Sequence, residues 1–265
     1  MNVEELITLL ARKPEMITEF PARLLPPERI EELSGETRLA IAEIAGRDSI
    51  AAALVASETL ELDSLLPTIA YTGTDYGDWS IPVQKAKDLA GKLESRGIRA
   101  YPPLLLGAPR FWWLLCGRPA ADHFARFHTA TFCLGCHLYF HAIRIPLARK
   151  IGATMIVGGE REDHDGRTKL NQTTVALDAY TDFVRSFGLD LQLPIRNVGT
   201  GDEIRRILGE DWKEGEQQVQ CTLSGNYLDA EGNLTYDEED VRRYFEEYAI
   251  PVATKAVQTY LKTNE

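Results

Sequence analysis

Short apolar runs alternate with helical patterns along most of the chain. Leu39 to Ile44 is rich in Ile and Ala and reaches a small glycine-containing corner, and the alanine-rich pattern Ile50-Ala51-Ala52-Ala53-Leu54 starts behind Asp48-Ser49. That order predicts a strand, a loop and a helix. A second apolar run, Leu65 to Tyr71, ends in the loop Thr72 to Trp79 and is followed by a helical pattern over 82–96. Ile98 to Tyr101 reads as a third strand, stopped by Pro102-Pro103. Between Phe111 and Thr131, the residues Trp112, Trp113, His123, Phe124, Phe127 and His128 recur at spacings that fit helix with a buried face, and core packing is the expectation for them. Cys133 to Lys150 is predicted helical, bent or interrupted by Pro146. Ala153 to Val157 is a fourth strand, running into Gly158-Gly159-Glu160-Arg161. Helices near 173–187 and 201–209, a strand-like Leu191 to Ile195, and closing helices near 237–248 and 251–262 complete the pattern.

Strands alternating with helices predict the α/β class, here a doubly wound, Rossmann-like parallel sheet. The loops at 45–49, 72–79 and 158–167 each follow a strand and should gather at one sheet edge, where such folds bind ligands. Residues 1–37 are expected to form a helical N-terminal segment broken by Pro14, Pro21 and Pro26-Pro27, with a short helix from Pro27 to Leu33. Residues 38–225 form the principal domain, and 226–265 add C-terminal helices packed on it.

Composition narrows the partners. The 265 residues carry a net charge of -11 and 44% hydrophobic content, which suits one large core and opposes broad binding to nucleic acid or acidic membranes. A small-molecule or nucleotide-type substrate is favoured, although the local basic patch Arg144 to Lys150 offers a place for phosphate. No signal-peptide pattern and no apolar run of membrane-spanning length is visible, so a soluble, cytoplasmic protein without membrane contact is expected. The four cysteines, Cys116, Cys133, Cys136 and Cys221, then read as metal ligands, reactive thiols or core residues before a disulfide framework.

Three stretches carry candidate chemistry. At the corner, Ala45, Gly46, Arg47, Asp48 and Ser49 offer backbone N–H groups and a helix start to a phosphate, with Arg47 as a mobile cation; the alternative is an ordinary turn capped by Asp48 or Ser49. Cys133 and Cys136, spaced C-x-x-C at a helix start, form a bidentate thiolate clamp to which Cys221 can add a third thiolate. Three cysteines suit a [4Fe-4S] cluster with one iron open. Zn2+ would want a fourth ligand, for which His137, His141 and Cys116 are candidates, and a metal-free redox pair with depressed thiol pKa is the third option. Cys116, in an apolar helix, is expected to be a buried structural thiol. In the loop 158–167, Gly158 and Gly159 allow close backbone approach, Arg161 and Arg167 are placed to grip phosphate, and Asp163 or Asp165 to hold Mg2+; a solvated surface loop is the alternative. The loop 72–79 offers Asp75, Tyr76, Asp78 and Trp79 either for base stacking or as a capped turn.

Together these stretches resemble the PP-loop ATP pyrophosphatase superfamily, also called adenine nucleotide alpha-hydrolase-like. Ile44-Ala45-Gly46-Arg47-Asp48-Ser49 stands where that family has Ser-Gly-Gly-x-Asp-Ser, so Ile44 and Ala45 replace Ser and Gly. The Cys-x-x-Cys helix, the Gly-Ala-Thr before a strand, the glycine-rich loop and the distant Cys221 are similar to the iron-sulfur tRNA 2-thiolation enzymes. Gly159-Glu160-Arg161 with Asp163, Asp165 and Arg167 resembles the nucleotide loop of the sulfonucleotide reductases of the same superfamily. The resemblance covers about residues 38–225. It implies ATP and Mg2+ bound at Ala45, Gly46, Arg47, Asp48, Ser49, Tyr71, Gly73, Gly158, Gly159, Arg161 and Arg167, and a cluster on Cys133, Cys136 and Cys221. Asp48, Arg47 and Cys221 would serve catalysis. The implied reaction adenylates a carbonyl-type substrate and transfers sulfur to it, with tRNA as a further candidate substrate, a separate sulfur donor, and a homodimer as the expected assembly. A structural-zinc amide ligase and a non-catalytic adenine-nucleotide module are the competing readings.

Overall fold

The computed structural model describes residues 25–213 and 215–263. The expected N-terminal helical segment, with Pro14 and Pro21, falls outside the described residues as far as residue 24. Helix α1 (Pro27–Ser34) starts on Pro27, where the absent N–H has no intrahelical partner to lose. Strand β1 (Leu39–Glu43) is buried along its whole length. Leu39 and Ile41 enter one apolar cluster and Ala40 and Ala42 the other. Burial on both faces is why the run is continuously apolar instead of alternating.

Helix α2 (Arg47–Thr59), strand β2 (Ser64–Tyr71), the two-residue β3 (Asp75–Tyr76), helix α3 (Ser80–Glu94) and β4 (Arg99–Ala100) follow. Pro102-Pro103 ends β4 as expected, but a strand absent from the sequence expectation, β5 (Leu104–Gly107), comes directly after it. β4 pairs with Ser64 and Leu65 of β2, and β5 with Thr68 to Tyr71 of the same strand. The prolines fall in the gap between the two ladders, where no N–H is needed.

Helix α4 (Pro109–Trp112) passes through a wide π turn, and α5 (Ala120–Phe127), α6 (Thr131–Ala142) and α7 (Arg144–Ile151) follow. The interruption expected from Pro146 is present: α6 ends on Ala142, the residue whose carbonyl the proline ring would strike in a continuous helix. Then come β6 (Met155–Val157), α8 (Thr174–Arg185), β7 (Asp190–Gln192), α9 (Gly201–Leu208) and β8 (Gln220–Cys221). The closing helices α10 (Glu238–Tyr244) and α11 (Ile250–Thr263) are joined by a π turn over Phe245–Ala249 instead of a break.

The main sheet has the order β4-β2-β1-β6-β7, with β5 beside β4 on the edge of β2, and every pairing in it is parallel. One face is covered by α6, α7, α8, α10 and α11, through Leu134, Leu147, Leu177, Val241 and Ala253 among others. The other is covered by α2, α3 and α9, through Ala52, Leu89 and Ile204. The fold is therefore α/β, a doubly wound parallel sheet. The chain leaves β1 toward β2 on one side and returns as β6 on the other, so the crevice for ligands opens beyond the carboxyl ends of β1 and β6. Among the described residues no helix is long and apolar enough to cross a membrane.

Candidate functional site

The corner after β1 is built around Ser49. Its hydroxyl accepts the N–H groups of Ala45 at 2.9 Å and Gly46 at 3.1 Å, and donates to the Gly46 carbonyl at 2.8 Å. Ser49 thus caps its own helix, the alternative raised by the sequence, while the corner faces a cavity of about 140 Å³ lined by Ala45, Gly46, Asp48, Gly159, Lys169 and Gln218.

Arg47 is not the mobile cation expected of it. It is buried, and its Nε donates to Asp48 Oδ1 at 2.9 Å. The other Asp48 oxygen accepts from Arg161 Nε, also at 2.9 Å. Arg161 is fully buried, and its Nη1 donates to the carbonyls of Asp163, Val198 and Gly199 at 2.6, 3.3 and 3.2 Å. The forked phosphate grip expected of Arg161 is spent instead on tying the 158–167 loop to the first turn of α2. Asp163 and Asp165, expected near Mg2+, accept the backbone N–H groups of Gly166 at 2.6 Å and Gly201 at 2.9 Å. The basic patch is likewise smaller than expected: Arg144 is fully buried, donating from Nε to Thr68 Oγ1 at 2.8 Å.

The glycines of this loop serve packing. A Cβ on Gly159 would stand 2.5 Å from Ser49 Cα, and one on Gly158 would stand 2.4 Å from Glu160 Oε2. Tyr71 and Gly73 are not among the residues lining the corner cavity: the Tyr71 ring packs on Trp79 at 5.2 Å between centroids, and Gly73 abuts Trp112. Trp79 is buried in the core, and Asp78 caps α3 by accepting from the Ser80 N–H at 2.9 Å and hydroxyl at 2.7 Å. Within the 72–79 loop, Asp75 and Tyr76 form strand β3 and Asp78 caps the following helix.

A second cavity, of about 270 Å³, is lined by Cys133, Cys136 and Cys221 together with Glu43, Ile44, Ala45, Asp75 and Lys169. Cys133 and Cys136 lie on α6, and Cys221 arrives through the antiparallel pairing of β8 with β3, opposite Asp75. The Trp112 indole N–H donates to Cys136 Sγ at 3.3 Å, and the Leu223 N–H donates to Cys221 Sγ at 3.4 Å. Cys116 sits beside Cys136 in the core. The thiol depression that a redox pair would need is absent at Cys133 and Cys221. Burial pushes both up, reinforced at Cys133 by Cys136 and Cys221 and opposed at Cys221 by hydrogen bonds to Thr74 and Leu223. Among the described residues the three sulfurs do not all lie within 4.8 Å of one another.

Arg167 lines a third cavity, of about 720 Å³, with Lys169, Gln218 and Tyr227. Lys169 and Gln218 line all three cavities, yet neither carries a sequence signal, since a lysine in a polar loop and a glutamine in a Gln-rich one look like solvated surface.

No family model matches the chain. Uncharacterized protein MJ0009 of Methanocaldococcus jannaschii is 36% identical to it over 233 residues, covering 85% of this chain and 82% of that protein. Among solved structures, the U34-tRNA thiolase NcsA from Methanococcus maripaludis with its [4Fe-4S] cluster aligns at a TM-score of 0.42 and 12% identity, over 91% of this chain and 76% of that one. A predicted subunit of tRNA methyltransferase from Methanocaldococcus jannaschii aligns at a TM-score of 0.39 and 12% identity, over 76% of this chain and 90% of that one. At those scores the two structures lend no residue roles to this chain. The identity to MJ0009 extends over most of both proteins, and the chain belongs to the MJ0009 family.

Proposed function

We propose that the protein is an ATP-using enzyme of the PP-loop type that adenylates a carbonyl-type substrate and replaces the activated oxygen with sulfur, using an iron-sulfur cluster on Cys133, Cys136 and Cys221. The observation that carries this reading is the convergence of Cys133 and Cys136 with the distant Cys221 on one cavity that also reaches Ala45 of the corner. The donor set fits the group. Three thiols face the cavity, and N–H donors on Cys136 and Cys221 suit sulfur ligands that carry negative charge.

Cys133, Cys136 and Cys221 would hold the cluster, which would supply the sulfide-transfer chemistry. The rest of the chemistry falls to the chain. The start of α2 binds phosphate oxygens at the corner, and Lys169 contributes the cation there that Arg47 does not. The substrate oxygen attacks the α-phosphorus and pyrophosphate leaves; sulfur then takes the carbon, and the oxygen departs with AMP. Asp48 acts as a positioning residue, holding the corner and the 158–167 loop in register through Arg47 and Arg161.

Anaerobic purification of the full chain, with iron, acid-labile sulfide and bound-nucleotide analysis, tests the proposal. Iron and sulfide should be present and should fall together in Cys221→Ser, and pyrophosphate should be released from ATP with a thiolatable nucleoside substrate. A colourless protein, or full iron occupancy in Cys221→Ser, would overturn it.

A further inference from the structure

Glu43, His141 and Glu160 form a buried group that the sulfur chemistry does not use. Glu43 ends β1, His141 lies in the last turn of α6, and Glu160 follows the two glycines after β6. All three are buried, His141 completely, and one ligand atom from each lies within 4.8 Å of the others.

Buried polar atoms are almost always hydrogen-bonded. Four of these are not: Glu43 Oε2, Glu160 Oε2 and both ring nitrogens of His141. His141 Nε2 stands 3.1 Å from Glu160 Oε1, an ion-pair distance. Ion pairs hold the group in place and leave these atoms without a full set of hydrogen bonds. Arg144 Nη1 stands 3.2 Å from Glu43 Oε2, while its Nε is committed to Thr68. His137 Nδ1 is 3.3 Å from Glu160 Oε1, and its Nε2 is 2.7 Å from Asn171 Nδ2, a chain that orients Glu160 from behind. Buried carboxylates and imidazole aimed at one another, with open lone pairs, are the arrangement in which a cation supplies the absent partner.

We propose that Glu43, His141 and Glu160 bind a divalent first-row transition metal such as Mn2+ or Zn2+, sharing no ligand with the cysteine site, whose cavity Glu43 also lines. One imidazole with two carboxylates is a nitrogen and oxygen set, which suits these ions and not the all-oxygen preference of Ca2+ and Mg2+. His137 and Asn171 form the outer layer that steadies a ligating carboxylate. Glu43 and Glu160 also line the corner cavity, so an ion held between them borders the place where phosphate would lie. The site does not depend on the sulfur-transfer reading, because a manganese ion does not compete for thiolates.

The test uses the full chain, stripped with a chelator and titrated with Mn2+ while the free-ion EPR signal is followed. One Mn2+ per chain is expected, and X-ray absorption at the manganese edge should show nitrogen and oxygen neighbours without sulfur. The near-isosteric Glu43→Gln and Glu160→Gln, together with His141→Asn, should each weaken Mn2+ binding at least a hundredfold, and Asn171→Ala roughly tenfold to a hundredfold. Circular dichroism separates lost ligation from lost folding, and the unsubstituted chain decides the matter if a variant unfolds. Failure of the unsubstituted chain to take up Mn2+, a sulfur shell around the manganese, or unchanged affinity in folded Glu43→Gln would overturn the proposal.

Discussion

Gly159 meets the backbone of Ser49 with no room for a side chain: a Cβ there would stand 2.5 Å from Ser49 Cα and 2.6 Å from its nitrogen. Because the obstacle is backbone in the first turn of α2, neither side can yield cheaply. Gly159→Ala should destabilise the fold by about 1–3 kcal/mol, the usual cost of overpacking, and weaken nucleotide binding at the corner. Urea unfolding and nucleotide titration measure the two. Gly199→Ala, whose Cβ would meet only Asp163 at 3.5 Å, is the tolerated control.

Asp48 neutralises two buried guanidiniums at once. Removing it leaves Arg47 and Arg161 inside the protein without that carboxylate, and breaking a buried pair from one side costs about 3–5 kcal/mol. Asp48→Ala should therefore unfold at markedly lower denaturant, with nucleotide binding lost as a consequence. An unfolding midpoint equal to the wild type would show that the bridge contributes nothing.

Cys116 lies beside Cys136 but points into the core, and burial pushes its thiol up, with Cys136 and Cys133 adding to the effect. Cys116→Ala should keep the iron content and lose about 1 kcal/mol of stability through the small void. Iron loss in the folded variant would make it a ligand.

Gln218 covers the corner: its Oε1 lies where a Cβ of Gly46 would be, 2.0 Å away. A phosphate entering there must move this carboxamide. Gln218→Ala should tighten pyrophosphate binding several-fold by isothermal titration, and weaker binding would instead make Gln218 part of the anion's own shell.

Tyr101 is held neutral to unusually high pH: burial first, then its hydrogen bond to Glu36, push the phenol up to about 12. The unfolded chain ionises this phenol near pH 10, so the stabilisation is complete below that pH and is lost as pH rises toward about 12. Tyr101→Phe should flatten the decline of stability across this window, as read by denaturation at stepped pH.

The elements that were legible before the fold was known are those whose signal is local. β1 and α2 announce themselves by an unbroken apolar run and a small-residue helix, and the break ahead of Pro146 follows from one ring against one carbonyl. β5 was hidden because its strand character comes from the edge of β2, and the residues before it are prolines. Arg161 was misjudged for a related reason: a charged, glycine-rich loop looks solvated until Asp48 and three carbonyls close around its guanidinium. Glu43 reads as the polar end of a strand, and nothing local says that His141 and Glu160 will converge on it.

The order of Gln218 and Cys221 along one short segment has a consequence for timing. Three residues span at most roughly 11 Å, and Cys221 is tied down by its ladder to Asp75 and by the bond from Thr222 N–H to the Thr74 carbonyl at 3.0 Å. Slack between the two residues is therefore small. A guest that levers Gln218 off Gly46 would pull on the same tether that holds Cys221, so in the proposed enzyme nucleotide arrival and cysteine alignment would be one event, with the anion as the trigger.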